Sequence, residues 1–309
     1  MDITLGPVLY HWSPDKWRDF YFRIADESPM DTVSIGEVVC SKRMQFYQPV
    51  LSDVIGRLER AGKNILLSSY ILISLERERK QTEKLVRDAA FPVEINDISC
   101  LPHLHDGQPF AVGPFVNTYN EGTAHFFASK GCQRICLPPE LPLGAMESIA
   151  HDCPQIYVEV FAFGRVPLAI SARCYHARLH KYSKDNCKFV CGEDPDGLDV
   201  NTLRGENFLS VNGVQTLSHT CVNLLPHLEE LKKAGIRSLR LSPQNCDMVE
   251  ISTIFRKALD GHMTADEALT ECRRVYPDVP FANGFVQALP GAEWKSALSQ
   301  INGTGAEIL

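Results

Sequence analysis

Three cysteines, Cys174, Cys187 and Cys191, stand in a polar and strongly basic stretch, SARCYHARLHKYSKDNCKFVC at 171–191. A structural cysteine ordinarily keeps apolar company. These three lack it, so they read as ligands. Cys187 and Cys191 are spaced C-x3-C. On a helical turn, positions i and i+4 project to one side, so both thiolates would reach one centre. A fourth candidate, Cys40, lies three residues beyond Glu37 in GEVVCSKR. Four thiolates suit either structural zinc or an iron–sulfur cluster. Zinc ribbons usually pair two C-x2-C knuckles, a pattern this sequence lacks. Scattered single cysteines closing a site with a loose pair fit a 4Fe–4S cluster at least as well. Such a cluster carries net negative charge, which Arg173, Arg178, Lys181, Lys184 and Lys188 would offset.

For Cys40 to join the other three, the fold must bring distant segments together. Eight β-rich runs recur: 3–10, 32–37, 64–70, 93–98, 110–115, 134–138, 156–163 and 236–242. Their Val, Ile and Leu content predicts strands buried on both faces, as in parallel sheets. Helical stripes lie between them: Trp17, Phe20, Tyr21 and Ile24, then Val50, Leu51, Val54, Ile55 and Leu58. Val222, Leu225, Leu228 and Leu231 predict a helix before the eighth run, ended by Ala234-Gly235. Strands alternating with helices predict an α/β fold, a (β/α)8 TIM-barrel-like closure. The connection at 99–109 is too short for a full helix, so the barrel is expected to be irregular there, with an open sheet as the competing architecture. In a parallel barrel every loop after a strand opens at the same face. Cys40 follows the second run, and the other three follow the seventh, so all four can meet at one rim.

About seventy residues separate runs seven and eight, and they carry the cysteine segment. FLSVNGVQTLS presents two β-runs around Asn212-Gly213, a two-residue hairpin signal. The chain therefore divides, within one structural domain, into 1–164 (seven strands with their helices), 165–219 (a cluster-binding insertion and hairpin) and 220–309 (the last barrel unit, then helices in EISTIFRKAL and TADEALTECRRVY).

Composition narrows the function classes. The 309 residues are 44% hydrophobic, with a net charge of −7 and a pI near 5.8. Without a long run of Lys and Arg, no nucleic-acid partner is expected. The opening MDITLGPVLY does not read as a signal peptide, and NILLSSYILISL is too short and interrupted to be a transmembrane segment. The reading is a cytoplasmic protein, in which eleven cysteines point to a metal or cluster rather than to disulfides. Cys136 reads as core and Cys132 as a turn position. Cys100, Cys153, Cys221, Cys246 and Cys272 read as core or surface thiols. Among His103, His105, His176 and His219 no Cys–His pairing stands out, so no catalytic residue is assigned. There is no dinucleotide fingerprint, Walker loop, H-E-x-x-H or G-x-S-x-G. Glu37, Asn117, Glu140 and Glu159 fall at or near strand ends, where a barrel carries its polar site residues or merely its caps. Ser242-Pro243-Gln244 falls at the same mouth.

LGPVLYHW, GEVVCSKR, SARC at 171–174, the Cys187/Cys191 pair, NGVQTLS at 212–218 and LRLSPQ at 239–244 together resemble the collagenase-like peptidase family. Within it they resemble the UbiV branch of ubiquinone-biosynthesis proteins. The resemblance runs from the first strand to the last. It implies a barrel-type fold and a 4Fe–4S cluster held by Cys40, Cys174, Cys187 and Cys191. It further implies a heterodimer with a UbiU-like protein, association with a UbiT-like lipid-binding protein, and oxygen-independent hydroxylation of a quinone precursor. Relatives in the wider family hydroxylate RNA bases and others are described as peptidases. Both, together with a zinc-stabilised non-catalytic scaffold, are the alternatives to a hydroxylase subunit.

Overall fold

The computed structural model describes residues 1–296. Each β-rich run overlaps one strand: β1 (Asp2–Leu5), β2 (Thr32–Ile35), β3 (Asn64–Ser68), β4 (Val93–Ile95), β5 (Phe110–Val112), β6 (Cys132–Leu137), β7 (Tyr157–Ile170) and, last in the barrel, Ser238–Leu241. Neighbours pair in parallel in chain order, and Ser238–Leu241 pairs with both β1 and β7. The sheet therefore closes on itself. This eight-stranded parallel barrel is the expected fold, and the open sheet is not observed.

The connecting helices are α1 (Pro14–Glu27), α2 (Met44–Arg60), α3 (Glu76–Arg87), α4 (Glu121–Ser129) and α5 (Leu143–Asp152). The first two carry the expected stripes: Trp17, Tyr21 and Ile24 are buried on α1, and Val54 and Leu58 on α2. Between β4 and β5 a short 3-10 turn, Ile98–His103, replaces a helix, which is the irregularity expected there.

The barrel interior is not purely apolar. Glu94 on β4 and Glu159 on β7 are fully buried beside Arg240 on the last barrel strand. Arg240 Nε donates to Glu159 at 2.6 Å, and its Nη2 donates to Glu94. Arg134 on β6 donates to the other Glu159 oxygen at 3.0 Å. Burial pushes the Glu159 carboxyl up, but Arg240 and Arg134 outweigh it and hold it at about 2. Glu159 is thus the third residue of its strand and part of a buried ionic network, not a mouth residue.

At Gly164 the β7 strand leaves the barrel. Its φ is +129°, and a Cβ there would lie 2.7 Å from the Ser242 Cβ, so glycine lets the strand turn out against the rim. Beyond it follow α6 (Tyr175–Leu179), β8 (Leu198–Asn201), β9 (Asn207–Asn212) and β10 (Gln215–Asn223). β10 runs antiparallel to both β7 and β9. The hairpin closes on the Asn212–Gln215 pair, so its two loop residues are Gly213-Val214, one position later than the Asn-Gly signal suggests. Only Gly213 has positive φ, +61°.

Val222 belongs to β10 rather than to a helix. The helix before the last barrel strand is short, α7 (Leu228–Lys233), and Gly235 at φ +83° ends it. The last barrel strand is β11 (Ser238–Leu241), followed by α8 (Met248–Leu259), α9 (Ala265–Val275) and a two-residue strand β12 (Phe281–Ala282) that pairs in parallel with Cys221 and Val222 of β10. The Thr264/Glu267 capping box starts α9. Residues 297–309 of the 220–309 unit lie outside the described residues. No helix among the described residues is long and apolar enough to cross a membrane.

Candidate metal centre

Cys40 sits on the loop between β2 and α2. Its backbone N–H and that of Val39 both donate to Glu37 Oε1 at 2.8 Å, so Glu37 shapes the turn that presents the thiol. Gly36 makes the turn possible: its φ is +148°, and a Cβ there would meet the Ser68 carbonyl oxygen at 2.7 Å. Cys174 is the N-cap of α6, its sulfur accepting from the Ala177 N–H. Cys187 and Cys191 do not share a helical turn. Cys187 closes one 3-10 turn (Lys184–Asn186) and Cys191 lies within the next (Val190–Gly192). Between them Lys188 and Phe189 are left-handed, at φ 49° and 55°. A phenylalanine in that region is uncommon and costs roughly 1–3 kcal/mol. Packing holds it: the Phe189 ring lies 4.8 Å from that of Phe46 and 5.8 Å from that of His11. The C-x3-C pair is therefore turned toward one centre by a strained, aromatic-anchored link.

All four cysteines line one narrow pocket, together with Arg43, His176, Phe189 and the Gly213-Val214 tip. The barrel thus brings the distant Cys40 to the same pocket as the local trio. A tetrahedral zinc with bonds of about 2.3 Å holds its sulfurs about 3.8 Å apart. Among the described residues, the ligand groups with atoms within 4.8 Å of one another are His125/Asp152/Cys153 and His176/His180/Asp194. No three of the four cysteine sulfurs form such a group. Four thiols on one shared pocket are a donor set that suits a structural zinc or an iron–sulfur cluster, either of which would be held by Cys40, Cys174, Cys187 and Cys191.

Arg43, which the sequence reading left without a role, organises the pocket. It is 1% exposed. Its Nη1 donates to the Leu9 carbonyl at 2.8 Å and its Nη2 to Asn212 Oδ1 at 3.0 Å, and Glu37 lies 4.0 Å away. It thereby ties the first strand's exit and the hairpin to the cysteine loop. Burial disfavours its charge, but Cys191, Glu37 and Cys40 outweigh this and keep it firmly protonated. Burial pushes both the Cys40 and Cys191 thiols up, and the Arg43 charge pulls each back toward thiolate. Burial likewise lifts Glu37 to about 7, against the pull of Arg43 and the two N–H donors. The signal for Arg43 was its place three residues after Cys40 in GEVVCSKR; nothing local shows that it is buried.

Other positions resolve differently. Asn117 is exposed, and Glu140 accepts from the Tyr119 hydroxyl at the surface. Gln244 is fully buried and accepts from Tyr10 at 2.9 Å. Cys132 is the buried first residue of β6 rather than a turn residue, because the strand begins two positions earlier than its apolar run. Cys136 is core, as expected. Beside Cys174 the surface is a cationic groove lined by Arg173, Arg178, Lys181 and Lys184, with Tyr182.

Fold and site together define an α/β-barrel protein with a cysteine-lined pocket at the rim where β2 and β7 exit. Residues 16–296 match the model of peptidase family U32, and the chain belongs to that family. Among curated proteins it is similar to the tRNA hydroxylation protein P of Escherichia coli, at 19% identity over 62% of this chain and 55% of that protein. The chain spans about half the length of this relative. Among solved structures it is similar to a putative fructose-1,6-biphosphate aldolase from Coccidioides immitis (11% identity, TM-score 0.41, covering 88% and 86%). It is also similar to a tryptophan synthase complex from Pyrococcus furiosus (12% identity, TM-score 0.38, covering 87% and 98%).

Proposed function

We propose that the chain is the iron–sulfur subunit of an oxygen-independent hydroxylase in ubiquinone biosynthesis. In this reading it works in the cytoplasm with a UbiU-like partner on a quinone precursor, in association with a UbiT-like lipid-binding protein. The observation that carries the reading is the meeting of Cys40, Cys174, Cys187 and Cys191 on one pocket. A 4Fe–4S cluster bound there supplies one-electron transfer, since four cysteine ligands leave no iron site open to substrate. The chain's own residues do the rest. Arg43 favours the thiolate forms of Cys40 and Cys191. Phe189, packed on Phe46 and His11, closes an apolar wall that limits water at the sulfurs.

A second reading is hydroxylation of an RNA base. The similarity to a tRNA hydroxylation protein and the cationic groove with Tyr182 support it. Lys and Arg on phosphates and an aromatic ring under a base are the usual elements of such binding. The two readings separate in cells lacking this protein and grown without oxygen, with quinones and digested tRNA nucleosides measured by mass spectrometry. Loss of ubiquinone with tRNA hydroxylation intact supports the first. The opposite pattern replaces it with the second.

A further inference from the structure

We infer that His176, His180 and Asp194 form a second metal site, separate from the four cysteines, for a divalent first-row transition ion that keeps open positions for an oxygen ligand. His176 and His180 are four apart on α6 and its C-cap, so both rings leave the same side of the helix. The rings lie parallel, with centroids 5.7 Å apart. Asp194 comes from the chain that follows the second cysteine turn, and its Oδ2 lies 2.7 Å from His176 Nε2. One ligand atom from each residue falls within 4.8 Å of the other two. Two cis ligands on one ion with bonds of about 2.1 Å lie about 3 Å apart, so the pair already has ligand spacing, and His180 closes by a side-chain rotation.

The donor chemistry is specific. Two imidazoles and one carboxylate form a three-ligand face that leaves coordination positions free, the arrangement typical of iron(II) and its neighbours rather than of calcium or magnesium. His176 is 1% exposed, and its Nδ1 is buried without any partner. The ring nitrogens of His180 make no hydrogen bond among the described residues. The His180 ring is thus available to an ion, and His176 Nε2 and Asp194 Oδ2 would exchange their mutual hydrogen bond for bonds to it. His176 also lines the cysteine cavity, so an ion here would sit beside the cluster and could hold an oxygen-bearing group next to it.

The test is cobalt(II) titration of the full chain purified without air, with iron and sulfide measured on the same samples. His180→Ala and Asp194→Asn alter partly exposed groups, and circular dichroism checks that they fold. One cobalt per chain is expected, with no thiolate-to-cobalt charge-transfer band. Its Kd should weaken at least tenfold in His180→Ala and in Asp194→Asn, and stay within twofold in Cys187→Ala. Absence of cobalt binding, equal binding in the two ligand variants, or a thiolate band that vanishes in Cys187→Ala would each overturn the site. Because iron and sulfide are read independently, a missing cluster is not confused with a missing second site.

Discussion

Replacing Arg43 with Met removes the tie that joins the cysteine loop to the barrel. The side chain makes two buried hydrogen bonds, to the Leu9 carbonyl and to Asn212 Oδ1. Each bond from a charged donor contributes roughly 1.5–3 kcal/mol, so the pair amounts to about 3–6 kcal/mol. Methionine restores part of this by filling the space with apolar contacts. Glu37, 4.0 Å away and 4% exposed, adds little to the loss, since without the Arg43 charge its already raised carboxyl takes up a proton. Urea unfolding of Arg43→Met at pH 7.5 should therefore lose about 3–5 kcal/mol. The same change withdraws the positive charge that favours thiolate at Cys40 and Cys191. Iron and sulfide retained after anaerobic purification should then fall at least twofold, even in the folded fraction. Stability within about 1 kcal/mol of wild type, with cluster content unchanged, would refute the assignment of Arg43 as organiser of the pocket.

Further outcomes concern the frame that holds the rim. Glu159 is held at about 2 in the folded barrel, against an ordinary value of 4.5. Its depressed value contributes stability above pH 4.5 that is lost as pH falls from about 4.5 toward 2, worth on the order of 3 kcal/mol. Arg240→Met should lose about 3–5 kcal/mol at pH 7 and show a flatter acid limb in unfolding measured from pH 7 to 3; an unchanged limb would remove Arg240 as the cause. Gly36→Ala should cost at least about 2 kcal/mol, because it forces a side chain into a backbone region that strains it and against the Ser68 carbonyl. The same substitution at Gly62, which has nothing within 4 Å, should cost less, and equal costs would contradict the close-packing argument.

The sequence revealed the barrel because its strands are buried on both faces, so each appears as a run of Val, Ile and Leu against polar helices. It did not reveal the charges inside. Glu94, Glu159 and Arg240 sit among the same apolar neighbours as any strand-end polar residue, and only closure of the sheet shows that they face one another. The four cysteines were found from type, context and the rule that barrel loops share a face. The route that turns Cys187 and Cys191 inward was missed, because helical spacing was assumed where Lys188 and Phe189 adopt left-handed backbone. Arg43 was in view as part of the motif, yet its three anchors lie 34, 169 and 6 positions away or are set by the turn itself, and no local pattern encodes that. His176 was in view without a partner and His180 was not singled out, since Asp194, which pairs with His176, lies beyond both later cysteines.

The central claim is that Cys40, Cys174, Cys187 and Cys191 together hold an iron–sulfur cluster. Purification under strict exclusion of oxygen, with iron and acid-labile sulfide counted per chain, tests it most directly. The account predicts about four of each in the wild type and loss of the brown chromophore in Cys174→Ala. A colourless wild-type protein, or one holding zinc without sulfide, would contradict it.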